Sequence, residues 1–206
     1  ILTELGKSKL EENEVILFDD GWKVVESFKG KIIYNKQNQF QSEELYEHEI
    51  PEGWTIKKPI KDKPCKFENN EWVVDIPKYK EQKLQEIKSA FDDNVMNGHF
   101  NSPTLGIEVD CRRSSTKNDL ENIKNLIEAF IETNRETLDI YRGYTVPDTG
   151  ETYYAHNVTL NQLKQLKLEM IQYGENLYRR KWSLEDLINN AQTLEELNNI
   201  DINFNI

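Results

Sequence analysis

The chain has 206 residues, enough for one large domain or two small ones, and 37% of them are hydrophobic. Acidic side chains number 37 against 26 Lys and Arg, and the formal net charge of −11 disfavours DNA, RNA and anionic membranes as partners, because phosphate binding requires a cationic surface. Four Trp, nine Tyr and eight Phe argue against a wholly disordered chain, since disordered chains are poor in aromatic residues.

Strand patterns dominate residues 15–77, which we predict to form a small β-rich module. Residues 1–14 are highly charged and predict a flexible or frayed N-terminus. The stretches EVILFDD and GWKVVESF are rich in β-branched and aromatic residues and meet at an Asp-Gly pair, which predicts a hairpin. CKFE and EWVV flank Asn69 and Asn70, residues that tolerate a tight turn, and predict another. Short strands interrupted by Pro favour separate hairpins over one wide sheet.

Residues 78–206 are predicted to form a C-terminal α+β domain, so the fold class expected for the whole chain is α+β. Its helices show apolar residues every three or four positions, and its strands alternate apolar and polar residues. The predicted elements are a lead helix over 78–96, a strand over 104–110, a helix over 116–133, a hairpin over 138–156, and helices over 160–180, 184–191 and 194–200.

Four helix starts are predicted from capping boxes, in which a Ser or Thr and the residue three positions later satisfy each other's backbone N–H groups. The pairs are Thr116 with Asp119, Thr159 with Gln162, Ser183 with Asp186, and Thr193 with Glu196. Two apolar residues that precede a cap are placed to pack on the first turn of the helix, and these are Val158 on Leu163 and Trp182 on Leu187.

An apolar stripe from Leu163 to Leu177 follows spacings of three and four residues. It allows either a coiled-coil seam between two copies or a helix seam within one chain. The stripe spans only about two heptads, so we favour the intramolecular seam.

No combination of residues is typical of an enzyme, a metal site or a cofactor site. His48, His99 and His156 are isolated, and Cys65 and Cys111 do not form a CxxC pair. Arg residues beside Cys111 would lower the pKa of its thiol, but the alternation of the strand predicts a small buried residue instead. Acidic pairs are interpreted as solvated faces, namely Asp19-Asp20, Asp92-Asp93 and Glu195-Glu196. We therefore predict no catalytic, cofactor-binding or metal residues and no enzyme.

The remaining candidates for binding are cationic and aromatic side chains. Two short basic runs, Arg112-Arg113 and Arg179-Arg180-Lys181, are interpreted as solvated charge. Interfaces are enriched in aromatic residues, and the candidates are Trp22, Trp54 and Tyr144, each of which is also compatible with an ordinary core position. No apolar run approaches the roughly 18 residues that a membrane span requires. Because the chain begins at Ile1 rather than Met, an upstream segment stays open.

Several segments carry a resemblance to a known family. They are KLQEIKSAFDD, GIEVDCRRSSTKNDLENI, the hairpin around PDTGETYYAHN, and the ending from NVTLNQLKQLKLEM to LEELNNID. In this order they resemble a domain of unknown function found at the C-terminus of bacteriophage tail and tail-fibre-associated proteins. EHEIPEGWTIKKP and FENNEWVVD are similar to the β-rich segments with Pro and Trp that precede this domain.

The resemblance implies a non-enzymatic structural or assembly protein of a phage or prophage tail that acts through protein–protein contacts. Its implied partners are other tail or tail-fibre proteins, with self-association left open, and its implied location is the virion tail or the host cytoplasm during assembly. An alternative is a carbohydrate- or host-surface-binding module, in which Trp54 and Trp72 stack on sugar rings. A third alternative is an enzyme that acts on a cell-surface polymer through Asp or Glu. Only the abundance of carboxylates supports it.

Overall fold

A computed structural model describes residues 5, 9, 11, 14–18, 20–43 and 49–206. The protein belongs to the α+β class, with strands in its N-terminal region and helices mainly in its C-terminal region. The chain divides into two compact units, residues 1–79 and 80–206, close to the predicted boundary after residue 77. The prediction for residues 1–14 falls mostly on positions outside those that the structure describes.

The N-terminal unit is built from short antiparallel strands in separate small sheets, as predicted. The strands are β1 (Glu14–Phe18), β2 (Trp22–Glu26), β3 (Ile32–Asn35), β4 (Gln41–Glu43), β5 (Trp54–Thr55), β6 (Cys65–Glu68) and β7 (Glu71–Val74). Both predicted hairpins are present, as β1–β2 and β6–β7, and β3 is the centre of a three-stranded sheet between β4 and β5. Asn69 and Asn70 both adopt left-handed φ values, 50° and 64°, in the β6–β7 turn.

The following part of the chain combines four helices with two hairpins. The elements are α1 (Ile76–Met96), β8 (His99–Ser102), β9 (Ile107–Asp110), α2 (Asp119–Glu132), β10 (Thr137–Thr145), β11 (Thr152–Thr159), α3 (Leu160–Asn190) and α4 (Leu194–Asn198). Helix α1 begins before Pro77 rather than after it, because the first turn of a helix tolerates a residue without an N–H. Strand β11 leads directly into α3.

The predicted strand over 104–110 is wrong in its first half. Residues 103–106 form the turn of a hairpin that pairs β9 with β8, a strand that the sequence pattern did not indicate. Gly106 has a left-handed φ of 66°, and its N–H donates to the carbonyl of Ser102 at 2.8 Å. A glycine free to take that conformation reverses the chain there, so the alternation through Leu105 is not that of a strand.

The predicted capping box of Thr116 and Asp119 is also wrong, and the helix predicted over 116–133 begins later. Asn118 is the N-cap of α2, and its side-chain oxygen accepts a hydrogen bond from the backbone N–H of Glu121 at 3.2 Å. The Asp119 carboxylate accepts from Arg112 instead. A good cap two residues downstream and a competing cation therefore displaced the predicted start.

The two helices predicted over 160–180 and 184–191 are one helix of 31 residues, α3. Ser183 and Asp186 lie inside it, and Trp182 and Leu187 are exposed rather than packed as a staple. No Gly or Pro interrupts residues 178–190, and the buried stripe continues in register from Leu177 to Leu184 and Ile188. Burial of that stripe keeps the helix intact across a start signal that is only local.

The other two capping boxes are confirmed. In each, the Thr side chain accepts a backbone N–H and the third residue of the helix reaches back to the cap, at Thr159–Gln162 and at Thr193–Glu196. The core of the C-terminal unit packs α2 and α3 on the two hairpins, which confirms an intramolecular seam for the first part of the apolar stripe. Its buried residues are Val109, Ile123, Ile127, Phe130, Val158, Leu163, Leu166 and Met170.

Two long-range polar contacts orient the outer parts of this unit on α3. The carboxylate of Glu169 accepts hydrogen bonds from the hydroxyl groups of Ser102 and Thr104, both at 2.5 Å, which fixes the β8–β9 turn on the helix. Near the other end, Arg180 Nε donates to the carbonyl of Asn203 at 2.8 Å and holds the C-terminal segment. Most of the α3 residues between these two contacts line the cleft described next.

Candidate functional site

An open cleft of about 710 Å³ lies within the C-terminal unit, in the size range of ligand pockets. One wall is the stretch of α3 from Met170 to Trp182, and the other is formed by the segment after β9 and the first turn of α2. We call it the α3 cleft. Its lining includes Val95, Cys111, Arg112, Arg113, Asn118, Leu120, Glu121, Ile171, Tyr173, Gly174, Glu175, Leu177, Tyr178 and Arg179.

Exposed apolar side chains follow one face of α3 along the cleft. Ile171, Tyr178 and Trp182 lie four, seven or eleven residues apart, so they share a side of the helix. Tyr178 is 44% exposed and Trp182 is 57% exposed, and their ring centroids are 5.8 Å apart. The Tyr178 ring also packs on Phe91, with centroids 4.9 Å apart, and neighbouring exposed aromatic rings beside a cleft are typical of a contact surface.

Gly174 lies on the same face, between Ile171 and Tyr178. A Cβ placed on it would have no heavy atom within 4 Å, so nothing in the fold requires a glycine here. Glycine inside a helix costs about 0.5–1 kcal/mol relative to Ala. Gly174 therefore leaves the floor of the cleft open at a cost to the stability of α3.

The basic runs that the sequence predicted to be solvated partly meet in the cleft. Arg112 is held by two carboxylates, and Arg179 lies 3.9 Å from Glu175 in an exposed pair. The backbone N–H of Arg113 donates to Val95, but its guanidinium has no ion-pair partner among the described residues. Cationic side chains thus border the cleft in an otherwise acidic protein.

Other members of the basic runs serve the fold. Arg180 holds the C-terminal segment, as described above. Lys181 lies 4.8 Å from the ring centroid of Phe91 and 3.8 Å from Glu185. Only part of each run is therefore available in the cleft.

A charged cluster supports the cleft wall next to Arg113. Arg112 contacts Asp110 at 2.7 Å and Asp119 at 3.1 Å, which ties the end of β9 to the start of α2. Burial raises the pKa of the Asp110 carboxyl, against the attraction of Arg112. One Asp110 oxygen, Oδ1, is enclosed and has no hydrogen-bond partner in the described part of the chain. The ion pairs of this cluster hold the cleft wall in place, and most of its charged atoms are engaged in them.

The Cys111 thiol shows no sign of activation. Burial, with the nearby Asp119 and Asp110 carboxylates, raises the pKa of the Cys111 thiol to about 12. Its Sγ donates to the carbonyl of Met170 at 3.7 Å, so the thiol is a neutral donor within the fold. Cys65 is a free, buried thiol in the N-terminal unit. The positive charge of Arg112 beside Cys111 does not lower the thiol pKa, because burial dominates.

His99 and His156 lie in different environments, and His48 falls outside the described residues. The Nδ1 atom of His99 is 2.8 Å from Glu108, and the ring stacks on Tyr144 with centroids 4.0 Å apart. His156 is exposed on β11. In the part of the chain that the structure describes, no three His, Cys, Asp or Glu side chains converge to hold a metal ion.

The aromatic candidates proposed from the sequence differ in their exposure. Trp22 is 45% exposed and contacts the edge of Phe18, whereas Trp54 is half-buried. Tyr144 is half-buried and covered on one side by His99. Trp72 is only 8% exposed, and its Nε1 donates to the carbonyl of Lys57 at 2.7 Å, so it cannot stack on a sugar. The alternative that uses Trp72 as a glycan platform is wrong for that residue.

The sequence pattern does not identify Tyr178, Trp182 or Gly174 as binding residues. The signal was present as two aromatic residues four positions apart and a glycine, all off the buried stripe of an otherwise regular helix. The predicted packing of Trp182 on Leu187 belongs to a helix start that is absent, because α3 is continuous there.

None of the helices in the described residues has an apolar stretch of the length that a membrane crossing demands. Comparison of the chain with protein-family models, with curated proteins and with solved structures finds no match.

Proposed function

We propose that the protein is a non-enzymatic structural or assembly component of a bacteriophage or prophage tail that acts through protein–protein contacts. The observation that carries the proposal is the exposed Tyr178–Trp182 pair, which lines the α3 cleft together with Arg113. Trp, Tyr and Arg are the residues that most often dominate the binding energy of protein interfaces. The sequence resemblance supplies the biological setting, with other tail or tail-fibre proteins as partners in the virion tail or in the host cytoplasm during assembly.

The chemistry of the cleft supports a binding role rather than a catalytic one. Two of its ionisable groups are engaged in contacts within the fold: Arg112 with Asp110 and Asp119, and the Cys111 thiol with a backbone carbonyl. A nucleophile or a general acid must instead be free to meet a substrate, with a pKa suited to its task. The exposed groups of the cleft include the Tyr178 and Trp182 rings and the Arg113 guanidinium, which are suited to recognise a protein surface.

Co-expression with the neighbouring genes of the same locus tests this proposal. We expect the tagged protein to retain one or more tail gene products through purification, and Trp182→Ala to release them. Leu168→Ala is the matched control, because Leu168 is equally exposed, at 57%, on the same helix and does not line the cleft. A wild-type chain that retains no tail product, or a Trp182→Ala chain that binds as well as Leu168→Ala, contradicts the proposal.

A second candidate is a carbohydrate- or host-surface-binding module, favoured by the exposed aromatic pair of Phe18 and Trp22 in the β1–β2 hairpin. Aromatic faces stack on apolar faces of sugar rings. A glycan array separates the two functions, because an assembly component gives no glycan signal. A signal lost in Trp22→Ala and retained in Trp182→Ala would favour this second candidate.

A further inference from the structure

We infer that the α3 cleft binds a short acidic segment of a partner protein, with the segment's backbone against Gly174, its apolar side chains against Tyr178 and Trp182, and a carboxylate on Arg113. This inference rests on the proposed function, in which the cleft contacts other proteins, and it names the chemistry of what is bound there.

The open space at Gly174 allows the backbone of a bound segment to approach α3 closely. The residue has open space around its missing Cβ, and it lies on the helix face that carries the exposed Ile171, Tyr178 and Trp182. A helix glycine with no packing role in the free protein is explained if another chain occupies that space. Alanine would be the better residue for α3 alone.

The length of the helix that lines the cleft, rather than the cleft volume, favours a segment of chain over a small molecule. The wall from Met170 to Trp182 covers twelve helical steps, or about 18 Å at the rise of an α-helix. An extended chain needs about five residues to cover that distance. A partner segment can therefore lie along the helix and reach both Gly174 and the aromatic pair.

The charges of the cleft select an acidic segment. Of its two glutamates, Glu175 pairs with Arg179, and Glu121 pairs with Lys124 at 3.2 Å. Arg112 pairs with Asp110 and Asp119. The guanidinium of Arg113 has no carboxylate partner among the described residues. Charged groups across an interface are arranged as complements, so a carboxylate on the bound segment is the expected partner of Arg113.

A different protein is favoured over a second copy of this chain. Each chain carries a formal net charge of −11, so two copies of this chain repel one another as they approach. A partner that is acidic only in a short segment presents the carboxylate without that repulsion.

Selection from a displayed library of random dodecapeptides, with the full-length protein as bait, tests the inference. We expect the enriched peptides to combine aromatic or large aliphatic residues with Asp or Glu. Their affinities are then measured by fluorescence anisotropy for the wild type and for Gly174→Ala, Arg113→Gln and Leu168→Ala, with the melting temperature of each protein recorded in parallel.

Gly174→Ala is the decisive variant because stability and binding should move in opposite directions. We expect it to raise the melting temperature, by about 2–4 °C, and to weaken peptide binding about tenfold or more. Arg113→Gln should weaken binding and reduce its dependence on salt, whereas Leu168→Ala should leave binding unchanged. Loss of binding in a protein that has become more stable cannot come from misfolding.

Several results overturn the inference: no acidic and apolar consensus, equal binding by Gly174→Ala and the wild type, or a dimer of the wild type that Gly174→Ala converts to a monomer. The last would identify a second copy as the occupant. If tail proteins co-purify with Gly174→Ala and with Arg113→Gln as well as they do with the wild type, the proposed function stands and this inference is wrong. Peptide binding that requires Gly174, in a protein that retains no tail product, would do the reverse.

Discussion

The carboxylate of Asp119 receives two hydrogen bonds from Arg112, one from its backbone N–H at 2.8 Å and one from its side-chain Nε at 3.1 Å. The backbone N–H of Asp119 in turn donates to the carbonyl of Arg112 at 3.1 Å. Residues seven positions apart are thereby closed into a loop that fixes the entry to α2. The same loop carries Arg113 and so places it at the edge of the α3 cleft.

Removal of the Asp119 carboxylate should destabilise the C-terminal unit. The Asp119 side chain is only 15% exposed, and its loss leaves the partly buried Arg112 with one carboxylate instead of two. We expect Asp119→Ala to lower the free energy of unfolding by about 2–3 kcal/mol, the range for hydrogen bonds between charged groups with little exposure. Urea unfolding followed by circular dichroism measures the change.

Glu121→Ala is the control for this prediction. Glu121 occupies the same first turn of α2, and its side chain is half exposed in a pair with Lys124. Exposed pairs of this kind contribute about 0.5 kcal/mol or less. Equal losses in the two variants would show that the effect comes from the helix start in general and not from the contact with Arg112.

The elements that were predicted well are those whose signals are local. The capping boxes at Thr159 and Thr193 and the turn at Asn69-Asn70 depend on residues within a few positions of one another, and all three are present. Helix α3 shows the limit of such signals. A local start at Ser183 was overruled by a buried stripe that continues from Leu177 to Ile188, a tertiary effect.

The site could not be predicted because it joins distant parts of the chain. The Glu169 contacts that fix the β8–β9 turn span more than sixty residues, and Arg113 and Tyr178 line one cleft only after α2 has packed on α3. Periodicity indicates which residues are buried, but it does not show how a helix packs against a loop from another part of the chain. The exposure of Trp182 also depends on that packing.

Asp110 should make stability fall as the pH rises through the carboxyl range. Burial raises its pKa above the ordinary value of 3.8 in the folded protein, so the folded state binds a proton more readily than the unfolded state. The contribution of Asp110 to stability is then full below the unfolded pKa and declines as the pH rises through the folded pKa.

Asp110→Asn removes this titration, and the comparison with the wild type cancels the other carboxyl groups. We expect the unfolding free energy of the wild type, minus that of Asp110→Asn, to decrease between pH 3 and pH 6. Urea unfolding at several pH values measures it. A difference that increases with pH would mean that Arg112 stabilises the Asp110 carboxylate by more than burial opposes it.

The Cys111 thiol should react slowly in the folded protein. With its pKa raised to about 12, very little thiolate exists at pH 8, and the thiolate is the reactive species. We expect alkylation by iodoacetamide to be slower than in urea by on the order of a hundredfold or more. Mass spectrometry of the digested protein follows Cys111 separately from Cys65, and fast alkylation of Cys111 in the native protein would contradict the prediction.

Gly143 should be among the least replaceable residues of the C-terminal unit. A Cβ on Gly143 would overlap the carbonyl oxygen of Glu108 and would lie 3.0 Å from Cδ1 of Ile107, so β10 and β9 would have to separate. Backbone cannot yield as a flexible side chain does, and overpacking of this kind costs about 1–3 kcal/mol or more. We expect Gly143→Ala to lower the urea midpoint, whereas Gly174→Ala, where a Cβ meets nothing, should raise it.

The contrast between the two glycines also reports on His99. Glu108 holds His99 through a contact of 2.8 Å, and a shift of the Glu108 backbone should loosen that contact and the stack of His99 on Tyr144. We expect the NMR signals of the His99 ring to move in Gly143→Ala and to stay in place in Gly174→Ala. If Gly143→Ala is as stable as the wild type with an unchanged His99 signal, then β9 and β10 do not approach as closely in solution as the packing at Gly143 requires.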